Sequence, residues 1–333
     1  MCAFGNNISP YEYFMKNKDN LTSTNKKELR DIIWSKHPEC SNHSPTIIKY
    51  FINKYKAKNV LDMCAGWGDR LIGALACGVD LYLGVDPNPC VHPNYANMIS
   101  TLLTHSPNPN GKYKLFEERF EDIDITKYND TFDLMYSSPP YFDYEKYTDK
   151  PGQSHKTFTH QTEWINGFLK PSINKCILAL KFNGYLVLYF SQEKGKSYIE
   201  PFLQWILYIK DIYYIGCMHY TLSNNKKFTH PIFIFKKSKD IPKTILRTKI
   251  KIQNKNNIYH FYNNGFDNIK QIIKWLKQKK TNKISIKCNK YSIMIAYALC
   301  LLKMRDVKLY CYLANNEYQS KIKFYHPNTN FIK

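Results

Sequence analysis

An α/β fold with a mostly parallel sheet is predicted for this 333-residue chain by three observations. Residues 59–86 read as a β-α-β unit with glycines in its first turn. Three further short apolar runs follow, and the one at 132–137 breaks at a pair of prolines. A late pair of apolar stretches, near 212–222 and 231–236, reads as an antiparallel hairpin closing the sheet.

In chain order, residues 1–43 are polar and read as a helical lead-in. Ser44-Pro45 supplies N-cap and N1 for a helix running from Thr46 to Tyr55. Asn59-Val-Leu-Asp-Met-Cys64 is a short strand, followed directly by Ala65-Gly-Trp-Gly-Asp-Arg70. A helix from Leu71 to Cys77 stops at Gly78, and Leu81-Tyr-Leu-Gly-Val-Asp86 forms the next strand, closing on an acid and Pro87. Glycines at one strand end let the backbone approach a ligand, and a carboxylate at the next can hold ribose hydroxyls. The Gly-x-Gly is shorter than a dinucleotide fingerprint, and no phosphate-binding lysine follows it as in a P-loop. The pair therefore suits a nucleoside without a pyrophosphate.

A third strand, Tyr113-Lys-Leu-Phe, leads into Glu118-Arg-Phe-Glu-Asp-Ile, where Glu121 or Asp122 is a candidate acceptor for an adenine amino group. The fourth strand begins at Phe132 and ends in Ser138-Pro139-Pro140-Tyr141. Neither proline donates to a ladder, and each fixes its own φ and restricts the residue before it. The turn is stiff, its carbonyls lie beyond the sheet, and a hydroxyl and an aromatic ring flank them. Such acceptors can hold an NH2 group and draw its lone pair out of ring conjugation, while Tyr141 stacks on the base. A strand end with a packed tyrosine has the same local sequence. An amphipathic helix at about Thr162 to Leu180, a fifth strand at Gly184–Phe190 and a helix at about Tyr198 to Lys210 complete the unit.

The net charge is +21, and residues 239–333 hold about 20 Lys and Arg against about 4 Asp and Glu. A segment so basic suits a polyanion, most simply nucleic acid. A genome rich in A and T would also raise Lys, Asn, Ile and Tyr, though without concentrating lysine at one end. The ten cysteines form no C-x-x-C pair or zinc-like spacing, so they read as reduced and mostly buried. No metal site is expected. Met1-Cys-Ala-Phe-Gly-Asn-Asn lacks the charged and apolar regions of a secretory signal. The longest apolar run, Tyr291 to Leu302, is too short for a bilayer. A soluble, cytosol-like, cytoplasmic setting and no membrane partner are the expectations.

Three motifs carry a resemblance: Asp62-Met-Cys-Ala-Gly-Trp-Gly-Asp-Arg-Leu-Ile-Gly73, Gly84-Val-Asp-Pro-Asn88 and Ser138-Pro-Pro-Tyr-Phe-Asp143. In this order, on these strand ends, the chain resembles amino-directed DNA methyltransferases, most closely methylases of large DNA viruses and phages. The resemblance spans roughly residues 25–237. It implies a Rossmann-like class I methyltransferase domain over 44–238 and S-adenosylmethionine as cofactor. It further implies that Asp62, Cys64, Ala65, Gly66, Gly68, Asp69, Arg70, Asp86, Pro87 and Asp122 line the cofactor site, with Asp86 on the ribose and Asp122 on the adenine. Ser138, Pro139, Pro140 and Tyr141 would grip the target amine. Serine at 138 looks more like the cytosine-N4 group than the adenine-N6 group, and both bases stay open. Carbon methylation would need a Pro-Cys on the fourth strand, which is absent, so Cys64 is expected to pack against the cofactor.

An amine inside a duplex is out of reach, so such enzymes flip the base or take single strands. Interleaved aromatic and basic residues in 142–161, among them Tyr144, Lys146, Tyr147, Lys150, His155 and Lys156, are candidates to clamp it. Residues 239–333 read as a small basic α/β domain for target recognition, with helices at 269–276 and 291–303 and strands at 284–286 and 307–313. The expected partner is nucleic acid, DNA first and RNA as a variant. A non-catalytic nucleic-acid binder on the same scaffold is the alternative, which the intact acid at 86, the glycines and the Ser-Pro-Pro-Tyr turn disfavour.

Overall fold

Seven apolar runs become the strands of one sheet in a computed structural model. It describes residues 3–4, 10–20, 29, 43–143, 145–147, 152–190, 198–221 and 229–240, with isolated strands and single residues beyond 240. The strands are β1 (Asn59–Asp62), β2 (Leu81–Val85), β3 (Lys112–Phe116), β4 (Phe132–Ser137), β5 (Leu180–Tyr189), β6 (Ile212–Thr221) and β7 (Thr229–Lys237). Their order is 3-2-1-4-5-7-6. The pairs β1–β2, β2–β3, β1–β4 and β4–β5 are parallel. The C-terminal strands are antiparallel, as the sequence predicts. Val60, Leu61, Leu83, Leu134, Met135 and Leu186 are fully buried, the burial pattern of a sheet covered on both faces. The strand order reverses between β1 and β4, and the crevice outside the carboxyl ends of strands at such a switch point takes the ligand in open α/β sheets.

The helices follow from apolar stripes and from proline. In α1 (Pro45–Tyr55), Ile47, Ile48, Phe51 and Ile52 form one buried stripe. Ser44 holds the N-cap position, but its Oγ pairs with Thr46 Oγ1 at 2.7 Å and makes no side-chain cap bond. Helix α2 (Asp69–Leu75) follows the glycine turn, and α3 (His92–Leu102) buries only Tyr95. In α3, Tyr95, Met98, Ile99 and Leu102 stand at i, i+3, i+4 and i+7, a helical period that the sequence reading above passes over. The helix expected at 162–180 contains a π turn at Ile165–Leu169 before α4 (Lys170–Ala179). Pro171 has no N–H for the i→i−4 ladder, and local rewinding accommodates that loss. Strand β5 starts at Leu180 rather than Gly184, because Leu180 already pairs with Phe132; Asn183, with a left-handed φ of 71°, follows where the register shifts between Phe132 and Leu134. Helix α5 (Ile199–Ile206) precedes β6.

Of the expected lead-in, a helix at Pro10–Asn17, a 3-10 turn at Lys18–Asn20 and a two-residue strand at Ala3–Phe4 are described. The chain groups into two compact units, Met1–Lys196 with Met218–Phe233, and Ser197–Cys217 with Ile234–Lys333. In the second, Lys283–Lys287, Lys308–Tyr312 and Asn330–Ile332 make a parallel three-stranded sheet, and Ile250–Lys255 pairs antiparallel with Ile258–Asn263. The strands expected at 284–286 and 307–313 are thus present. The helix expected at 269–276 lies outside the described residues, and of the one at 291–303 only 299–300 are described as helical. Cys64, Cys77, Cys90, Cys176, Cys217 and Cys300 form no disulfide, and Cys176 and Cys300 are the most deeply buried of these six. Among the described residues, no helix is long and apolar enough to cross a membrane, and no His, Cys, Asp and Glu group could hold a metal.

Candidate active site

The first turn is built from glycines that no other residue replaces without strain. Gly66 and Gly68 have φ of 60° and 90°, and a Cβ on Gly68 would lie 2.7 Å from Met98 Sδ. Ala65 N–H donates to Val85 O at 2.9 Å, which holds the turn against the end of β2. Gly66 N–H donates to Asp86 Oδ2 at 2.8 Å, and Asn88 N–H donates to Asp86 Oδ1 at 2.9 Å. Burial pushes the Asp86 carboxyl above its ordinary range, and those two N–H groups partly offset it. From α3, Tyr95 OH donates to Gly66 O, and His92 Nε2 donates to Asp86 O at 2.8 Å. Neither α3 residue is foreseen from the sequence, since no local motif marks them.

Asp62 is fully buried, and four donors converge on it. Arg70 Nε at 2.7 Å and Tyr82 OH at 2.9 Å reach Oδ2. Ser137 Oγ at 2.7 Å and Cys64 N–H at 3.3 Å reach Oδ1. Desolvation lowers the pKa of Arg70, but Asp62 outweighs it and the guanidinium stays charged; its Nη2 also donates to Cys64 O. Asp69 accepts the backbone N–H of His43, and burial raises its pKa. The Cys64 thiol is raised well above its usual value by burial, then by Asp62 and Asp86, so it stays protonated near neutral pH.

Beyond β3, the two acids that the sequence leaves as alternatives separate. Asp122 is half exposed and ion-paired to Arg119, whose Nε lies 2.6 Å from Oδ2. The Glu121 side chain is only 7% exposed; its Oε1 lies 4.0 Å from Arg119 Nε and is buried without a hydrogen-bond partner. Lys175 Nζ clamps this loop from α4, reaching Glu121 O at 2.6 Å and Ile123 O at 2.7 Å. Burial raises the Glu121 carboxyl, and Glu121 in turn raises Cys64. A buried carboxylate oxygen that makes no hydrogen bond is costly even beside a cation 4.0 Å away, and a donor from a ligand lowers that cost.

The turn after β4 has a half-buried Ser138, a buried Pro139 and a half-buried Pro140 and Tyr141. The Tyr141 ring lies 6.4 Å from that of Phe190, inclined at 45°. Phe142 is held at φ 53°, buried beside Trp164 at 5.8 Å. A left-handed phenylalanine costs roughly 1–3 kcal/mol and persists only where its surroundings over-determine it. Downstream, Tyr147 meets Trp67 edge to face at 5.9 Å, and Arg119 Nη1 donates to Thr157 Oγ1 at 3.0 Å. A Cβ on Gly152 would lie 3.3 Å from Pro87 Cβ. The residues after the proline turn thus touch the loops after β1, β2 and β3. Tyr144, Lys150 and the rest of 148–151 lie outside the described residues. Glu145–Lys146 pairs antiparallel with Ala3–Phe4.

No family model matches the chain, and no curated protein matches it. Among solved structures it is similar to an rRNA methylase from Streptococcus thermophilus, with TM-score 0.40 and 13% identity over 60% of this chain and 99% of that one. It is also similar to magnesium protoporphyrin IX methyltransferase from Synechocystis PCC 6803 with bound SAM. There the TM-score is 0.41 and the identity 10%, over 70% of this chain and all of that one (100%). Both likenesses are loose, and neither identifies a function.

Proposed function

We propose that the chain is an S-adenosylmethionine-dependent methyltransferase acting on an exocyclic amino group of a nucleic-acid base, with DNA as the first substrate to test. The observation that carries this reading is a pair of unlike turns at the carboxyl ends of two neighbouring parallel strands, β1 and β4. One is the Gly66–Gly68 turn joined to Asp86, and the other is the Ser138-Pro-Pro-Tyr141 turn. The residues present fit the cofactor. Asp86 retains lone pairs for a ribose diol, and Glu121 Oε1 is a buried acceptor with no hydrogen bond of its own, open to a donor such as an adenine amine. Ala65, Gly66 and Gly68 would face the cofactor with Cys64 packed behind them, and Pro87 would flank it. Asp62, Asp69 and Arg70 hold the turn in shape, and Asp122 fixes Arg119.

The bound cofactor supplies an electrophilic methyl group on a sulfonium. The chain's own task is to orient the amine. Acceptors at Ser138 and Pro139 hold its two N–H bonds, so its nitrogen lone pair turns away from ring conjugation. Tyr141 supplies a stacking face for an extruded base, and the downstream segment narrows water access from the side of Trp67.

Asp86→Ala tests the cofactor half. Removing an acceptor for the ribose diol should cost about 1.5–3 kcal/mol in S-adenosylmethionine binding by calorimetry. Unchanged affinity in the folded variant removes Asp86 from the site. Methyl-transfer assays on mixed DNA and RNA, followed by nucleoside analysis, test the other half. A product methylated at N4 of cytosine or N6 of adenine supports the reading, and label found only on protein overturns it.

A further inference from the structure

The backbone ladder between β1 and β4 ends at Leu61 and Met135. Past that pair, the strand ends are joined by the hydrogen bond from Ser137 Oγ to Asp62 Oδ1, 2.7 Å long. Both residues are fully buried. The residue after Ser137 opens the proline turn. Asp62 also takes Arg70, Tyr82 and the Cys64 N–H, and Arg70 holds Cys64 O. Four donors match the four lone-pair directions of a carboxylate, which leaves none for a ligand.

We propose that Ser137 is a positioning residue, coupling the cofactor turn to the Ser138–Tyr141 turn through Asp62; this rests on the function proposed above. A hydrogen bond to a buried carboxylate is strong, and leaving any of its partners unsatisfied is unfavourable. When a ligand fills the turn at 64–68, Cys64 and Arg70 settle, and the carboxylate they share with Ser137 settles with them. The proline turn then moves as a unit, because Pro139 and Pro140 have fixed φ and Phe142 is already held in the left-handed region.

Hydrogen exchange with and without S-adenosylmethionine reads this coupling apart from activity. In the wild-type protein, the cofactor should slow exchange at 64–70 and at the Ser138, Tyr141 and Phe142 amides. Ser137→Ala should keep the first protection and lose the second. Its kcat should fall about 10- to 100-fold at unchanged cofactor affinity, and Ser137→Thr, which keeps the hydroxyl, should restore both. If Ser137→Ala does not fold, Ser137→Cys, a weaker donor of similar size, carries the same expectation. Tyr82→Phe, which removes another donor from Asp62, should leave protection at the proline turn. Protection there that survives in Ser137→Ala, or that vanishes together with protection at 64–70, overturns the coupling. Wild-type protein without protection at 64–70 overturns the cofactor reading, and the coupling with it. Intact coupling without methyl transfer to any nucleic acid overturns only the reaction.

Discussion

Which carboxylate is left for a ligand depends on who else reaches it. Asp86 lies at a strand end beside a glycine turn, so the local motif alone points to it. Glu121 and Asp122 are adjacent in sequence, and no local pattern separates them. Arg119 draws Asp122 outward and Lys175 on α4 fixes the loop so that Glu121 turns in, and these partners are set by packing. Asp62 sits in the expected motif, yet its place in the hub depends on Tyr82 and Ser137 from other strands. In the chemistry itself, Tyr141→Ala should lower target binding or turnover by about 1–3 kcal/mol through loss of the stacking face, and Tyr141→Phe should be tolerated. Cys64→Ser should retain methylation, since a thiol raised by burial forms no adduct at neutral pH. A trapped covalent complex with a mechanism-based cytosine analogue, lost in Cys64→Ser, is the outcome that refutes this mechanism.

His43 gives a second test at the same scale. Its Nδ1 lies 3.2 Å from Ser44 O, a carbonyl that only accepts, so Nδ1 carries the proton and Nε2 accepts from Tyr136 OH at 2.9 Å. Burial, then the Arg70 charge, lowers its pKa from 6.5 to about 3. The unfolded chain therefore binds a proton that the folded chain refuses between these values. The stability is fully present above pH 6.5 and is lost as pH falls toward 3, at no more than about 1.4 kcal/mol per pH unit from this group. Urea unfolding at pH 7, 6 and 5 should show a steeper loss in the wild-type protein than in His43→Gln. Equal slopes in the two would show that His43 is not held neutral.

At the scale of elements, the parallel strands were legible because each is a short apolar run bounded by glycine, proline or an acid. Helix α3 and the hairpin at 250–263 were passed over, although Tyr95, Met98, Ile99 and Leu102 keep a helical spacing and Ile250-Lys-Ile-Gln253 alternates as a strand does. The hairpin's strand ends carry none of the glycine, proline or acid that marks the parallel strands. The contact of α1 with α2 was hidden, though one glycine sets it. A Cβ on Gly73 would come within 2.4 Å of Ile48 Cγ2 and 2.7 Å of Pro45 O, and the latter is backbone that cannot swing aside. Gly73→Ala should lower stability by about 1–3 kcal/mol despite alanine's better helix propensity. A denaturation midpoint at or above the wild-type value would mean that α1 can shift away from α2.

The whole molecule poses the question of its charge. Excess lysine after residue 239 is plain in the sequence, but its use is not, because composition carries no geometry. Deleting that segment is a poor test. Leu299 and Cys300 are buried, and Cys300 Sγ lies 3.6 Å from Leu207 O, so truncation would strip the residues that follow α5 of their partners. Charge can be removed instead without removing chain. Lys274, Lys277, Lys279 and Lys280 crowd one short stretch, and Lys277 is exposed. Changing all four to Gln lowers the net charge from +21 to about +17 by the same counting. If the segment grips a polyanion, the variant should bind DNA more weakly while S-adenosylmethionine affinity stays unchanged. The salt dependence should also flatten, since each duplex phosphate contact contributes a slope of roughly −0.9 in log K against log salt. A lysine that only solvates the surface contributes no slope. Binding isotherms between low and physiological salt therefore separate the two cases, and an unaltered slope assigns these lysines to composition alone.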